Sequence, residues 1–492
     1  MSEHVYDAVI LGAGYGGIGA AAQFVRNDID NFVLLEKAGR VGGVWRDNSY
    51  PGAACDTQSH IYCYSFHLNL RASALFAGRD ELLGYIESIV DKFQLADRIR
   101  LNSEIIRAVW QEVRGIWRIE TAGGETYLAR AFVPSWGQLS TPSIPDFEGL
   151  ERFSGEWFHS AKWRHDVDLR GKRVASIGAA ASAVQYIPEV AKVADELVVF
   201  QRSANYILPR DQVVFTQERL DEFSANPAVF LESRIGIHNM REAGFARMKH
   251  DSSDQAQAVL DARAHLEAQV PDPVLRKKLT PDYEYGCKRV LRSDDYYPAL
   301  MRPNVMLETS GIREITEHEI IARDGREYEF DVIIFGTGFK SQAFQGQLEV
   351  VGRHGMQLAE RWGNTPEAYL GMTVDGFPNM FMIYGPNTNL NHNSIVTMME
   401  AQQEYIVEAV NYLKSNPGDV LEVDEMVLRE YNDMVQRELE MSSFSSDCSS
   451  WYKNDEGKVI NNWCGTVEEY RALTAEMNRG DYRSAVPAAE MR

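Results

Sequence analysis

Apolar runs that lead into glycine-rich turns occur at two places in the chain. Residues 6–11 form a short apolar, β-branched run, followed directly by Gly12-Ala-Gly-Tyr-Gly-Gly17 and an alanine-rich segment. The change from strand-like to helix-like spacing across a tight turn predicts a strand, a turn and a helix. The next apolar run, residues 31–36, ends in Glu36 and predicts a second strand. The pattern therefore indicates a βαβ unit.

A second βαβ unit begins near Lys172. We predict a strand at 173–177, a turn at 178–183, a helix at 184–193 and a strand at 196–202 that ends in Arg202. Two such units in one chain predict an α/β fold with two Rossmann-like dinucleotide-binding domains.

Composition divides the rest of the chain. Pro142 and Pro145 indicate a linker between the two units. Residues 209–285 are rich in Ala, Glu, Gln and Arg and poor in β-branched residues, which predicts a helical insertion. We therefore expect 1–140 and 340–492, with the C-terminal region, to form one domain, and 150–208 and 286–338 to form the other.

Two segments near the end of the chain are expected to be less ordered. Residues 442–450 are mostly serine and predict a mobile loop. The tail after Asn478 is expected to be poorly ordered.

The balance of charges limits the partners. The chain of 492 residues has 50 Lys and Arg against 71 Asp and Glu, a net charge of −21. This argues against nucleic acid or an anionic membrane as the main partner. A hydrophobic content of 45% is ordinary for a globular protein and argues against a disordered chain.

The cysteines and the N-terminal residues add further expectations. Five cysteines without a C-x-x-C pair predict neither a disulfide framework nor a cysteine-rich zinc site, and no metal is expected. The first residues do not have the pattern of a signal peptide, and no segment reads as a membrane span, so we expect a cytoplasmic protein.

The first glycine turn has the context that a dinucleotide site requires. Gly12 permits the tight turn, Gly14 lets the backbone approach a pyrophosphate, and Gly17 allows close packing of helix on strand. Glu36 follows about 20 residues later, where an acid accepts hydrogen bonds from ribose hydroxyls. A purely structural glycine turn is the alternative interpretation.

The second turn has the same spacing and the opposite charge. Gly178 keeps the first glycine, but Ala180 replaces the second and Ala183 the third. Arg202 stands where the acid stood in the first unit, which suits the 2′-phosphate of NADP. The alternative is a repeat without cofactor, in which Arg202 is a surface cation.

Two dinucleotide sites, one of them for NADP, suggest a flavoprotein that reduces FAD with NADPH. Disulfide reductases pass electrons to a C-x-x-C pair, and this chain has none. The remaining choice lies mostly between simple reductase or oxidase action and the insertion of oxygen.

Two longer motifs resemble those of a known family. Residues 42–56, Gly-Gly-Val-Trp-Arg-Asp-Asn-Ser-Tyr-Pro-Gly-Ala-Ala-Cys-Asp, and residues 153–164, Phe-Ser-Gly-Glu-Trp-Phe-His-Ser-Ala-Lys-Trp-Arg, are similar to the fingerprints of Baeyer–Villiger monooxygenases. Trp163 favours this branch over related N- and S-oxidising enzymes, whereas Arg164 departs from the usual Pro or Asp. The segments 336–339 and 384–389 also fit the family.

The resemblance implies a reaction. An enzyme dependent on FAD and NADPH would form a C4a-peroxyflavin from O2, and this would attack a small-molecule ketone to give an ester or lactone. By the motif at 285–289, the catalytic arginine falls on Arg289, with Arg292 as its rival. Asp56 would hold Arg289 in place, and Lys288 would join Arg202 on the 2′-phosphate.

The resemblance also implies roles for other residues. His159 and Trp163 would belong to a domain hinge, and Trp451 would fold over NADP as a lid, although an exposed aromatic without a role is the alternative for Trp451. Core packing is the alternative for Trp45 and Tyr62. The expected cofactor contacts, besides those already named, are Val44, Trp45, Asp47, Tyr62, Val109 and Ser182.

Two other functions are compatible with these observations. One is a flavin monooxygenase that oxidises N or S atoms and needs no arginine at the reacting centre. The other is a non-oxygenating NADPH oxidase. The sequence leaves the oligomeric state open.

Overall fold

A computed structural model describes residues 3–341, 344 and 346–484 of the chain. Its strands, in chain order, are β1 Val5–Leu11, β2 Phe32–Leu35, β3 Ile99–Arg100, β4 Ile105–Gln111, β5 Ile116–Thr121, β6 Thr126–Pro134, β7 Glu156–His159, β8 Arg173–Ile177, β9 Glu196–Phe200, β10 Ile207–Leu208, β11 Leu291–Arg292, β12 Val305–Glu308, β13 Ile312–Ile315, β14 Glu319–Ala322, β15 Glu327–Glu329, β16 Val332–Phe335, β17 Glu349–Val351, β18 Leu421–Val423 and β19 Tyr482–Ser484.

The α-helices are α1 Tyr15–Arg26, α2 Val44–Asp47, α3 Arg79–Lys92, α4 Ala181–Ala191, α5 Gln217–Ala225, α6 Pro227–Ala243, α7 Ser253–Gln269, α8 Pro273–Lys278, α9 Tyr296–Leu300, α10 Leu358–Trp362, α11 Ile395–Ser415, α12 Glu425–Glu440 and α13 Val467–Leu473.

The first large sheet has the strand order β17-β4-β5-β6-β1-β2-β3. β1 pairs in parallel with β2 and β6, whereas β5 is antiparallel to both of its neighbours. Ala8, Val9 and Ile10 in β1 have no exposed surface, as expected for a parallel strand covered on both faces. The turn after β1 therefore lies at the end of an interior strand of the sheet.

The second large sheet has the order β12-β9-β8-β16-β7, and every pairing in it is parallel. Between β9 and β12 the chain leaves this sheet and forms a helical segment that contains α5 to α8. The two sheets confirm the predicted α/β class with two dinucleotide-binding folds. The three smaller sheets are β10-β11, β13-β14-β15 and β18-β19.

The two chain segments that connect the sheets lie side by side. Ser143 N donates to Gly338 O (2.9 Å), Lys340 N donates to Thr141 O (2.9 Å), and Thr337 Oγ1 donates to the carbonyl of Ser143. The outgoing and returning connections are therefore hydrogen-bonded to each other, beside the end of β7.

Three expectations need correction. Cys287 and Cys448 form a disulfide, because the fold brings together residues that are 161 positions apart. The serine-rich loop is packed rather than free, since Ser442 and Ser443 are buried and Ser443 Oγ donates to Met248 O (3.2 Å). The tail after Asn478 continues into β19, which pairs with β18, and its residues 485–492 lie outside the described part.

Among the described residues, no helix combines the length and hydrophobicity that a bilayer span requires. The predicted cytoplasmic location stays a prediction.

Candidate active site

The turn between β1 and α1 is built from close backbone contacts. Gly12 has a φ of +92°, and a Cβ on Gly17 would lie only 1.8 Å from the Gly12 carbonyl oxygen. A Cβ on Gly43 would lie 2.8 Å from Gly14 Cα. The helix begins after Gly14 without a side-chain cap. Its first N–H groups therefore face a backbone cradle, the arrangement that binds a pyrophosphate.

Glu36 lies beside this turn at the end of β2. One of its carboxylate oxygens accepts from Ala13 N at 2.7 Å, and the other accepts from Ala38 N at 2.9 Å and Arg46 Nη1 at 3.1 Å. Only 4% of the residue is exposed. The carboxylate is held in one orientation, and a fourth lone pair is left for a ribose hydroxyl.

Residues of the first fingerprint lie on the other side of the turn. Val44, Trp45 and Asp47 are in α2, and Trp45 Nε1 donates to Tyr62 Oη at 3.2 Å. The rings of Trp45 and Tyr62 meet edge to face, with centroids 5.8 Å apart. Both aromatic residues also pack against the buried cluster of Cys55, Ala77 and Leu82. The contacts of Trp45 and Tyr62 are compatible both with core packing and with a role as cofactor contacts.

The second glycine turn has the same construction. Gly178 has a φ of +107°, and a Cβ there would lie 2.4 Å from Gly336 O. α4 follows, with Ser182 and Ala183 in its first turn and no side-chain cap. The alanines at 180 and 183 are accommodated, so the N-terminus of α4 remains available to an anion.

Two cations lie beyond this turn. Lys288 Nζ donates to Ser203 Oγ (2.9 Å) and lies 4.5 Å from the centroid of the Tyr283 ring. Burial lowers the pKa of Lys288, and the charge of neighbouring Arg202 lowers it further. Two cations so close together favour a doubly charged phosphate between them.

Arg289 and Asp56 form a two-point ion pair. Arg289 Nη2 lies 2.8 and 2.7 Å from Asp56 Oδ1 and Oδ2, and Nε lies 3.1 Å from Oδ2. The charge of Asp56 raises the pKa of Arg289 further. Burial acts to raise the pKa of Asp56, but the charge and hydrogen bonds of Arg289 outweigh it and lower that pKa. Both groups are therefore ionised at neutral pH.

Two further arginines surround this pair. Arg241, from α6, donates from Nη2 to the backbone oxygen of Asp56 (3.2 Å) and from Nε to Gln58 Oε1 (2.8 Å). Arg292, in β11, donates from Nη1 to Pro209 O (3.0 Å). Arg292 was expected only as a rival of Arg289. Arg241 carries no sequence motif, and only the packing of α6 brings it here.

The second fingerprint lies at the connection between the sheets. His159 is 2% exposed at the end of β7, and its Nδ1 accepts from Ala161 N at 3.1 Å. Burial lowers the pKa of His159, so it is neutral at pH 7. Trp163 packs on Phe158 and Tyr186. The hinge role of His159 and Trp163 stays a prediction.

Trp451 and Val109 are the two remaining predicted cofactor contacts. Trp451 stacks at an angle on Tyr452, with ring centroids 4.8 Å apart, and its carbonyl accepts from Asn461 Nδ2 at 2.8 Å. Val109 lies within β4, opposite Val351 and Arg118, and β4 is separated from β1 by two strands. The predicted FAD contact at Val109 therefore has the least structural support.

Two dinucleotide cradles beside an arginine–carboxylate pair define a flavoprotein oxidoreductase. The profile of the pyridine nucleotide-disulphide oxidoreductase family matches residues 9–246. A Baeyer–Villiger monooxygenase of Pseudomonas aeruginosa is 40% identical over 475 residues, which cover 96% of this chain and 90% of that protein. One of Streptomyces coelicolor is 40% identical over 99% of this chain and 94% of its own length. The chain belongs to the Baeyer–Villiger monooxygenases.

Solved structures agree with this assignment. An oxidized steroid monooxygenase bound to NADP has a TM-score of 0.85 and 31% identity, with coverage of 96% of this chain and 97% of its own. A complex of OTEMO with FAD and NADP has a TM-score of 0.88 and 26% identity, with 98% and 100% covered. The protein is an NADPH-dependent flavin monooxygenase, and FAD and NADP are its cofactors. A phenazine N-monooxygenase of Lysobacter antibioticus is also similar, at 31% identity over 98% of this chain and 97% of that protein.

Proposed function

We propose that the Arg289–Asp56 pair is the reaction centre at which a ketone is converted to an ester or lactone with one atom of O2. The observation that carries this proposal is the two-point ion pair between residues of two different motifs. A carboxylate that accepts from both Nε and Nη2 on one edge of a guanidinium fixes the plane of the group as well as the place of its charge. The pair thus gives a cation of defined orientation.

We assign the first cradle to FAD. The backbone groups around Gly12, Gly14 and Gly17 would hold the pyrophosphate, because a side chain at these close contacts would fill the space. Glu36 would accept from the ribose, and Trp45 and Tyr62 would line the cofactor. When bound and reduced, FAD would supply the electrons that activate O2 for the reaction.

We assign the second cradle to NADPH. Gly178, Ser182 and Ala183 at the start of α4 would face the pyrophosphate. Arg202 and Lys288 would bind the 2′-phosphate, since the two cations are neighbours and the 2′-phosphate is absent from NADH.

Arg289 would act by charge alone. Its guanidinium stays protonated, because Asp56 raises its pKa. It therefore stabilises negative charge on oxygen at the reacting centre without giving up a proton there. Asp56 is a positioning residue in this scheme, since it holds Arg289 and its own pKa is lowered.

Oxidation of N or S atoms is the second candidate, and the similarity to a phenazine N-monooxygenase favours it. Incubation of the FAD-loaded enzyme with NADPH, O2, a panel of ketones and a methyl aryl sulfide distinguishes the two. Mass spectrometry should find an ester one oxygen heavier than its ketone, with less peroxide than NADPH consumed. Sulfoxide without any ester across a wide ketone panel would favour the second candidate, and peroxide equal to NADPH would favour an oxidase.

A further inference from the structure

The cavity beside Asp56 has an excess of positive charge. Its lining includes Arg241, Arg289 and Arg292 together with the amides of Asn391 and Asn393 and one carboxylate, Asp56. Asp56 is already engaged on both oxygens by Arg289. Asp56 therefore neutralises the charge of Arg289 and leaves the charges of Arg241 and Arg292 without a paired carboxylate among the described residues of this lining.

The other two arginines are hydrogen-bonded only to neutral groups. Arg241 donates to the Gln58 side chain and to the Asp56 backbone oxygen, and Arg292 donates to the Pro209 backbone oxygen. Within the described part of the chain, neither makes an ion pair with a carboxylate. Arg247 adds a cation and Asp211 an anion in the surroundings of Arg292, so the excess is not removed.

This excess is a local feature. The whole chain has a net charge of −21, so three arginines around one carboxylate do not reflect the overall composition. Burial lowers the pKa of Arg241 to about 10, and the charge of Arg292 adds to this effect. Cations that are held partly out of water without a counterion destabilise a fold. A bound anion would offset that cost.

We propose that Arg241 and Arg292 bind an anionic group of the substrate, so that the preferred ketones carry a carboxylate or a similar oxyanion. The planar guanidinium fork matches a carboxylate in geometry as well as charge. Since Arg289 belongs to the same group of arginines, the anionic group would bind next to the proposed reaction centre. This substrate class rests on the proposed ketone reaction at Arg289.

The phosphates of NADP are the other source of an anion. In the proposed NADPH site these phosphates would be bound by the N-terminus of α4 and by Arg202 and Lys288. Arg241 and Arg292 come instead from α6 and β11. The structure therefore favours the substrate as the partner of these two arginines.

The test compares 5-oxohexanoate with its methyl ester, which has the same ketone and no charge. For the FAD-loaded enzyme, kcat/KM should be about ten-fold or more higher for the acid. Arg292→Gln and Arg241→Gln should each lower this acid-to-ester ratio about ten- to hundred-fold. Arg292→Lys should keep part of the ratio, because it keeps the charge. Arg263→Gln, an exposed change on α7 with the same loss of charge, should leave the ratio unchanged.

Binding provides a readout that does not depend on turnover. Calorimetric titration of the oxidised, NADP⁺-bound enzyme should give a lower Kd for 5-oxohexanoate than for its ester, and Arg292→Gln should remove the difference. FAD content and circular dichroism identify variants that fail to fold, and either arginine variant suffices for the test.

Two results would overturn the proposal. One is an unchanged acid-to-ester ratio with a raised KM for NADPH, which would assign the arginines to the cofactor. The other is equal loss of activity and binding for acid and ester. Failure of the proposed ketone reaction would look different, because no ester product would form from either compound while the binding difference could still be measured.

Discussion

Arg289 Nη2 lies 2.7 Å from Asp56 Oδ2, although the two residues are 233 positions apart in the chain. Asp56 ends the first fingerprint and Arg289 follows the helical insertion, so two separate parts of the sequence are joined at one point. The side chains are 25% and 31% exposed, which places the pair at the wall of a cavity rather than in the core. A charge in such a position can both hold its partner and face a ligand.

Replacement of Arg289 should separate oxygenation from cofactor oxidation. We expect Arg289→Ala to lower ester formation at least about 100-fold, because a preorganised cation at a developing charge contributes this much. NADPH consumption should continue, with hydrogen peroxide as its product. Mass spectrometry of the ester and a peroxide assay measure the two rates. Ester formation by Arg289→Lys should lie between that of Arg289→Ala and that of the wild type. Normal ester yield from Arg289→Ala would exclude the proposed role.

The stability supplied by Asp56 should not change between pH 5 and 9. Its pKa is lowered in the folded protein, so the stabilisation is present above the ordinary value of about 3.9 and is lost only as pH falls through the folded value. Asp56→Asn should cost about 1–3 kcal/mol, less than a fully buried pair because the side chains are partly exposed.

Melting temperatures at fixed FAD and NADP⁺ concentrations test this prediction. The difference between Asp56→Asn and wild type should be constant from pH 9 to pH 5. A difference that shrinks steadily over that range would mean that Asp56 titrates there. Asp166→Asn, in an exposed pair with Arg164, is the matched control and should have a much smaller effect.

Preference for NADPH should depend on Lys288 and Arg202 together. The double variant Lys288→Ala, Arg202→Ala should raise KM for NADPH about 10- to 100-fold, since it removes charged hydrogen bonds to the 2′-phosphate. KM for NADH should change little, because NADH has no such phosphate. Arg170→Ala, an exposed cation paired with Asp168, serves as the control. Equal changes for both nucleotides would show that the two cations do not recognise the phosphate.

The Cys287–Cys448 disulfide should be detectable by counting thiols. The chain has five cysteines, and three of them, Cys55, Cys63 and Cys464, are free. Denatured protein should therefore give three reactive thiols before reduction and five afterwards. Cys448→Ser should give four without reduction and should cost about 2–4 kcal/mol in stability. Five thiols in unreduced protein would contradict the pairing.

This disulfide also fixes the surroundings of the site. Cys287 immediately precedes Lys288 and Arg289. Cys448 lies in the serine-rich loop, shortly before Trp451. The loop predicted to be mobile is therefore tied to the segment that carries the two cations. Reduction should raise hydrogen exchange in residues 442–453 before it affects the two large sheets.

The local units of this protein could be predicted from short stretches of its sequence. The turns at Gly12 and Gly178 could be predicted because close backbone approach requires glycine within a few residues of a strand and a helix. Glu36 after β2 and Arg202 after β9 could be predicted in the same way, because each lies at a short, fixed spacing from its glycine turn. The family motifs identified Arg289 and Asp56 because they too are short segments of sequence.

Which of these segments come into contact follows from the folded chain and could not be predicted from local sequence. Arg241 carries no motif and reaches Asp56 because α6 packs there, across 185 positions of the chain. Contacts between distant residues also form the disulfide, the pairing of β18 with β19 and the excess of positive charge around Asp56. Hydrophobic spacing and turn chemistry act over a few residues, whereas the packing of one element on another is set by the burial of whole faces.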